Sequence, residues 1–174
     1  MKLPIRVLLT AVVASASLVA CSGTKTKPNP NTGTTGSTTT TTTDHGNGGP
    51  YSGPEALDSD SCLRQRVVYF DFDKSEIRPE FQAAVACHAA YLKQFRGAKV
   101  TLEGNADERG TREYNMGLGE RRGNAVSSAL GAAGASSSQL NVVSYGEERP
   151  TCKDHNEGCW QKNRRVEIVY TSKQ

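Results

Sequence analysis

Three polar residues in one stretch of the sequence could together bind a small charged molecule. Arg122 lies four residues after Leu118 and four residues before Val126, so in a helix it falls on the apolar face. A guanidinium on a buried face needs a fixed acceptor or a ligand, because an unpaired buried charge is costly. Asn115 lies on the same face, and Asp107 precedes the helix in a loop that contains glycines.

A carboxylate, an amide and a guanidinium in one concavity suit a zwitterionic ligand. Asp107 would bind its ammonium group, and Arg122 would bind its carboxylate in bidentate form. Asp107 is also close to the start of a helix, where the helix dipole and free N–H groups favour a carboxylate. The alternative is structural: Asp107 and Arg122 form a salt bridge that only holds the fold.

Sequence signatures of catalysis are missing. The chain has no HExxH, GxSxG or GxxxxGK[ST] motif, and none of its three histidines sits in a sequence-local nucleophile arrangement. Residues 71–82 start like a calcium loop, but Glu76 replaces the required glycine and Gln82 replaces the final glutamate. We therefore expect a binding protein rather than an enzyme, with no cofactor and no metal ion.

The elements that must position these residues follow from hydrophobic periodicity. Four strands are predicted, at residues 67–70, 99–103, 140–145 and 166–170. Two helices are predicted, at residues 79–95 and 111–132, and Gly131 and Gly134 are expected to end the second. Strands that alternate with helices predict an α/β (α+β) two-layer sandwich, with a mixed four-stranded sheet and helices on one face.

The N-terminal third of the chain differs from the rest. Residues 1–20 are typical of a secretory signal peptide, with basic residues before a short apolar stretch. Small residues before Cys21 resemble a bacterial lipobox, so we expect Cys21 to carry lipid; an ordinary signal peptide with a coincidental cysteine is the alternative. Residues 21–61 are rich in Thr, Gly and Pro and predict a disordered tether. Residues 62–174 then form one domain.

The charge balance argues against a nucleic-acid partner. The chain has 21 Lys and Arg against 18 Asp and Glu, a formal net charge of +3. Loss of Lys2 and Arg6 with the signal peptide leaves a net charge of +1. Lys and Arg runs are no longer than the pairs Arg121-Arg122 and Arg164-Arg165, so no phosphate-binding patch is predicted.

The four cysteines after Cys21 are expected to form disulfides, because an exported chain meets an oxidising compartment. Cys62, Cys87, Cys152 and Cys159 permit three pairings. The favoured set is Cys152–Cys159, whose short loop limits the chain-entropy gain to roughly 2.5 kcal/mol, and Cys62–Cys87, which ties the start of the domain to its first helix. A Cys/His metal site is the less favoured alternative, since the chain has no CxxC pair.

Four stretches of the sequence resemble one known family. They are YFDFDKSEIRPE (69–80), EGNADERGTREYNMGLGERRGNAV (103–126), SYGEERP (144–150) and NRRVEIVY (163–170). In this order they are similar to the OmpA-like peptidoglycan-binding domain, over about residues 64–172. The resemblance implies an OmpA C-terminal-like fold that binds the diaminopimelate of the peptidoglycan stem peptide without covalent chemistry.

The resemblance also implies roles for individual residues. Asp107 and Arg122 would hold diaminopimelate, whose side-chain end is the kind of zwitterion inferred above. Further ligand contacts are implied for five residues: Phe72, Asp73, Asn105, Asn115 and Leu118. Many family members have His where Asn105 stands, so the contribution of that position is open.

The implied setting is the bacterial outer membrane, with a lipid anchor and the domain facing the periplasm. There the protein would link membrane to peptidoglycan and support envelope integrity and cell division. A second implied partner is the periplasmic β-propeller protein TolB, with other Tol components, competing for an overlapping face. Two alternatives remain: a wall-acting hydrolase, and a surface lipoprotein in which the Asp107–Arg122 pair is only structural.

Overall fold

The part of the chain that the computed structural model describes is residues 49–174. The predicted signal peptide, the lipidation of Cys21 and most of the predicted tether lie outside the described residues. Within them, no helix combines the length and the apolar character that crossing a membrane requires.

One layer of the domain is a four-stranded mixed sheet. Its strands are β1 Val67–Tyr69, β2 Lys99–Asn105, β3 Leu140–Gly146 and β4 Arg165–Ser172. In the strand order β1-β4-β2-β3, β4 pairs antiparallel with β1 and β2, while β2 pairs parallel with β3. The predicted fold class is confirmed, and all four predicted strands are present.

The two long helices, α2 Gln82–Gln94 and α3 Arg112–Ala132, form the second layer. Two short helices are also present, α1 Ala56–Ser59 and α4 Glu157–Asn163. The two predicted helices correspond to α2, which follows a 3₁₀ turn at Pro79–Phe81, and to α3. Gly131 lies inside α3, contrary to prediction, and Gly134 makes the left-handed turn after it with a φ of +105°. The short helices α1 and α4 were not predicted.

The core lies between the sheet and the two long helices. Apolar residues that alternate along β2 and β4 meet those that recur along α2 and α3: Val100, Leu102, Val166, Ile168, Val85, Leu92, Val126 and Leu130, all buried. The apolar residues that repeat every second position in the strands and every 3.6 positions in the helices therefore pack into one core, as the two-layer prediction requires. Because of this packing, the polar C-terminal end of β2 lies next to the first half of α3.

The packed region starts before residue 62, which corrects the predicted domain boundary. Leu57 is fully buried, Tyr51 is 8% exposed, and both belong to the core cluster. The Tyr51 hydroxyl donates to the Cys87 carbonyl at 3.0 Å, and the Tyr51 N–H donates to Gln94 Oε1 at 3.1 Å. The few apolar residues in this polar stretch pack into the core, and the composition of the segment alone did not predict that packing.

Both favoured disulfides are confirmed. Cys62–Cys87 joins the segment before β1 to α2, with 6.2 Å between the two Cα atoms. Cys152–Cys159 joins the loop after β3 to α4, with 5.2 Å between the Cα atoms. In the described chain, Cys152, Asp154 and Cys159 cluster closely enough to suggest a metal site, but the disulfide takes up both sulfurs.

Candidate functional site

A cleft of about 200 Å³ opens where the loop after β1, the loop after β2 and the first half of α3 meet. Its lining consists of Phe72, Asp73, Asp107, Arg109, Gly110, Tyr114, Asn115, Leu118 and Arg122. Six of the seven residues singled out from the sequence are in this lining. The seventh, Asn105, is not.

Arg122 lies at the bottom of the cleft and is fully buried. Its Nε donates to the Lys74 carbonyl at 2.8 Å, Nη1 donates to the Asn105 carbonyl at 2.9 Å, and Nη2 donates to the Asp71 carbonyl at 3.1 Å. Its guanidinium also lies 5.3 Å from the centre of the Phe70 ring. Burial lowers the pKa of Arg122 to about 10, so it remains cationic at neutral pH.

These acceptors are neutral carbonyl oxygens, so within the described residues the charge of Arg122 has no directly bonded counter-ion. A guanidinium has five N–H donors, of which the three carbonyls account for three. The arrangement therefore provides a desolvated positive charge with donors to spare next to a cleft. Such a group attracts a carboxylate and can bind it through two parallel hydrogen bonds.

Asp107 is buried beside the cleft and is held by two other arginines. Its Oδ1 accepts from the backbone N–H and the Nε of Arg109, both at 3.1 Å, and its Oδ2 accepts from Arg109 Nη2 at 2.7 Å and from Arg164 Nη1 at 3.3 Å. Burial alone would raise the pKa of Asp107, but hydrogen bonds from Arg109 and then Arg164 outweigh it and lower that pKa.

The structural alternative from the sequence, a direct Asp107–Arg122 salt bridge, is therefore wrong. Among the described residues, Asp107 forms its ion pairs with Arg109 and Arg164, while Arg122 bonds to backbone carbonyls. Asp107 still favours the charged form of Arg122 through space. The two groups thus remain separate sites of opposite charge on one cleft.

Two aromatic side chains form the outer rim. Phe72 is 54% exposed and Tyr114 is 45% exposed, which makes them the large hydrophobic residues that the described domain leaves most open to solvent. The Tyr114 hydroxyl donates to Asp73, whose φ of +56° places it in a tight turn of the loop after β1. Exposed rings above buried charges are typical of a binding surface.

Arg109, which the sequence reasoning missed, connects the rim to the interior. Its guanidinium lies 4.0 Å from the centre of the Phe72 ring and 4.2 Å from the centre of the Trp160 ring. The same guanidinium chelates Asp107. The Asp-x-Arg spacing in the loop after β2 could have predicted the pairing of Asp107 with Arg109. No sequence spacing predicts that Trp160, on α4, contacts Arg109.

Asn105 and Asn115 act in different ways. The Asn105 backbone carbonyl accepts from Arg122, and its side-chain Nδ2 donates to the Glu103 carbonyl at 2.9 Å. Its buried Oδ1 has no hydrogen-bond partner among the described residues. Asn115 lines the cleft, and its side-chain amide donates to Glu147.

The sequence model of the OmpA family matches residues 69–164, more than half of the chain. The chain belongs to the OmpA family. Within the family it is similar to the peptidoglycan-associated lipoprotein of Pseudomonas putida, at 50% identity over 114 residues, 65% of this chain and 68% of that protein. The peptidoglycan-associated lipoprotein of Haemophilus influenzae is 46% identical over 112 residues, 64% of this chain and 73% of that protein.

Two solved structures share the fold. The crystal structure of the peptidoglycan-associated lipoprotein from Burkholderia pseudomallei matches with a TM-score of 0.65 at 43% identity, covering 67% of this chain and 98% of that one. The C-terminal domain of Helicobacter pylori MotB matches with a TM-score of 0.56 at 20% identity, covering 60% of this chain and 82% of that one. The second likeness is one of fold alone. The family resemblance stated from the four sequence motifs is confirmed.

Proposed function

We propose that this chain is a non-catalytic outer-membrane lipoprotein that anchors the membrane to the cell wall by binding diaminopimelate in the stem peptide of peptidoglycan. The observation that carries the proposal is the cleft itself, in which a buried guanidinium and a buried carboxylate lie beneath two exposed aromatic rings. Relatives at about half identity carry the name peptidoglycan-associated lipoprotein, which agrees with this ligand.

The side-chain end of diaminopimelate is a zwitterion that fits the two charges. Its carboxylate binds the spare N–H groups of Arg122, which no carboxylate within residues 49–174 contacts directly. Its ammonium group binds Asp107, where Arg109 is the partner more easily displaced because its side chain is 30% exposed against 5% for Arg164. Phe72 and Tyr114 pack against the rest of the peptide, and Asp73, Asn115 and Leu118 complete the contacts.

The same groups are poorly suited to hydrolysis. A general acid that works near neutral pH needs a pKa raised towards 7. The pKa of Asp107 is lowered instead, by hydrogen bonds that outweigh the effect of burial. A charged carboxylate fixed by arginines serves recognition rather than proton transfer, so a binding role is favoured over a wall-acting hydrolase.

The membrane anchor in this proposal rests on the sequence before residue 49. Cys21 would carry the lipid, and residues 21–48 would lead from the membrane to the domain in the periplasm. By the family resemblance, TolB and the other components of the Tol–Pal system are the protein partners, and TolB competes for a face that overlaps the cleft. This assignment places the chain in envelope integrity and cell division.

A titration of the purified protein with a stem peptide that contains diaminopimelate, followed by NMR, tests the proposal. We expect saturable chemical-shift changes at Asp107, Arg122 and the loop after β1. Because Arg122 bridges three backbone carbonyls and its loss could disturb folding, the informative variants are Asp107→Asn, which preserves shape, and Phe72→Ala, which changes an exposed side chain.

Asp107→Asn should weaken binding by about tenfold or more, since a hydrogen bond to a charged group contributes roughly 1.5–3 kcal/mol and each 1.4 kcal/mol is tenfold in affinity. Asp58→Asn is the matched control, because Asp58 is an exposed carboxylate that pairs with Arg66 and Lys173 instead of lining the cleft. A folded wild-type protein without saturable shifts, or a folded Asp107→Asn variant with unchanged affinity, would contradict the proposal.

A further inference from the structure

The short helix α4 forms one side of the support for the cleft. Trp160 stacks on Arg109 and donates its Nε1–H to Glu108 Oε1 at 2.7 Å. Glu157, in the first turn of α4, places a carboxylate oxygen 3.5 Å from Arg109 Nη1. Both contacts fix the guanidinium that chelates Asp107.

Arg164, the residue directly after α4, extends this support to the carboxylate. It donates to Asp107 Oδ2 at 3.3 Å, to the Phe70 carbonyl at 3.0 Å and to Glu157 Oε1 at 2.6 Å. Its side chain is only 5% exposed, and its bonds to Asp107 and to the Phe70 carbonyl are buried. The orientation of Asp107 thus depends on residues within and next to α4.

On its buried side, α4 is attached to the loop after β3. Its two buried residues are Cys159 and Asn163. Cys159 forms the disulfide to Cys152, while Asn163 Oδ1 accepts from the backbone N–H groups of Thr151 at 2.9 Å and Cys152 at 3.1 Å. A helix of only seven residues is unstable in isolation, so α4 depends on tertiary contacts such as this attachment to keep its position.

We infer that the Cys152–Cys159 disulfide is a positioning element of the ligand-binding cleft. It holds α4 against the loop after β3, and α4 in turn holds Arg109 and Asp107 in the geometry that the ligand meets. The inference rests on the proposed function for its ligand. The two cysteines lie outside the cleft lining and act on the cleft through Trp160 and Arg164.

The chain supplies its own control in the second disulfide. Cys62–Cys87 ties the start of the domain to α2, and neither of its cysteines lies in or next to an element that lines the cleft. The stem peptide should therefore bind the Cys62→Ser/Cys87→Ser variant as tightly as wild type. The Cys152→Ser/Cys159→Ser variant should bind it on the order of tenfold more weakly, the scale of one lost hydrogen bond to a charged group.

A second readout needs no ligand. Trp160 is the single tryptophan of the chain, so one indole N–H signal in the NMR spectrum reports its bond to Glu108. That signal should move towards its solvent-exposed position in Cys152→Ser/Cys159→Ser and stay unchanged in Cys62→Ser/Cys87→Ser. Trp160→Leu keeps the disulfide but removes the stacking, and it should reproduce the weaker binding without the cysteine changes.

The outcomes separate this inference from the proposed function. If wild type does not bind the stem peptide while the indole signal responds as expected, the proposed ligand is wrong and the coupling between disulfide and site still stands. If the indole signal and the affinity of folded Cys152→Ser/Cys159→Ser both equal those of wild type, the inference is overturned. Equal weakening by both cysteine pairs, or wild-type binding by Trp160→Leu, also overturns it.

Discussion

Arg122 joins two loops as well as lining the cleft. Its three carbonyl acceptors belong to the loop after β1 and to the end of β2, so one side chain fixes both walls at their base. Hydrogen bonds to the three carbonyl oxygens fix the orientation of the Arg122 guanidinium without neutralising its charge. Preorganisation of this kind lowers the entropy cost of binding a carboxylate.

His88 is a second buried polar residue, far from the cleft, and it makes stability depend on pH. Its ring nitrogens lie 3.0 Å from the Tyr170 hydroxyl and 3.2 Å from the Gln65 carbonyl. Burial lowers the pKa of His88 to about 4. The unfolded chain, with a pKa near 6.5, binds the proton more readily, so stability falls as the pH drops through this window.

We expect the free energy of unfolding of wild type to fall by roughly 3 kcal/mol between pH 6.5 and pH 4 because of His88. Urea denaturation at several pH values measures it, and His88→Gln should flatten the slope while lowering stability overall. His155→Gln is the control: Glu108 raises the pKa of exposed His155, and a raised pKa causes no loss of stability as the pH falls through that window. Parallel pH profiles for wild type and His88→Gln would refute the assignment.

For single residues, the sequence predicted which side chains are buried better than it predicted their hydrogen-bond partners. The four-residue spacing to Leu118 and Val126 was enough to place Arg122 on the buried face of α3. The same spacing could not identify its acceptors, because backbone carbonyls from two loops have no signature in the sequence. The pairing of Asp107 with Arg164 was hidden for the same reason, since the two residues are 57 positions apart.

Among the elements, α3 owes its position to glycines that let it approach the sheet closely. A Cβ atom on Gly119 would lie 2.8 Å from the Gly104 carbonyl oxygen and would overlap the Ser144 hydroxyl. A Cβ atom on Gly123 would meet Val142 at 2.6 Å. These contacts bring the middle of the cleft-lining helix directly against β2 and β3.

Gly119→Ala should therefore destabilise the protein by about 1–3 kcal/mol, the usual cost of overpacking. Gly131→Ala is the matched control in the same helix, because outside the adjoining helix backbone no atom of residues 49–174 lies within 4 Å of the added methyl group. That change should stabilise by about 0.5–1 kcal/mol through helix propensity. Thermal or urea unfolding of both variants measures the difference, and two changes of the same sign would contradict the close-packing argument.

Element prediction succeeded where a pattern was long and regular. The strands and the helices α2 and α3 carry enough apolar repeats to be recognised. Helix α4 escaped because it buries only Cys159 and Asn163, so its seven residues show no apolar stripe. Its start at the Asn156 cap was a weak local signal without such a pattern to support it.

For the molecule as a whole, the stretch between residue 49 and β1 is part of the folded unit. Leu57→Ala should cost about 2–5 kcal/mol in unfolding free energy, because it removes a fully buried side chain from the core. Ser52→Ala, at an exposed position nearby, should change it by less than about 0.5 kcal/mol. Equal denaturation midpoints for the two variants would show that the segment contributes nothing to the core.

The position of the domain boundary was the weakest inference from the sequence at this scale. Residues 50–61 share the polar composition of the predicted tether, and composition is averaged over a window. Tyr51 and Leu57 act individually, through contacts with α2 that no window reveals. The fold class was easier to predict than the boundary, because it depends on the order of helices and strands and not on which residue first contacts the core.

The Cys62–Cys87 bond also decides how the domain would respond to mechanical tension. A pull on residue 49 would first peel away the segment up to residue 61, which is attached to α2 only by non-covalent contacts. This would release about 45 Å of extended chain. The covalent bond then passes the force directly into α2, so the chain between Cys62 and Cys87, which contains β1 and the loop after it, is not pulled out.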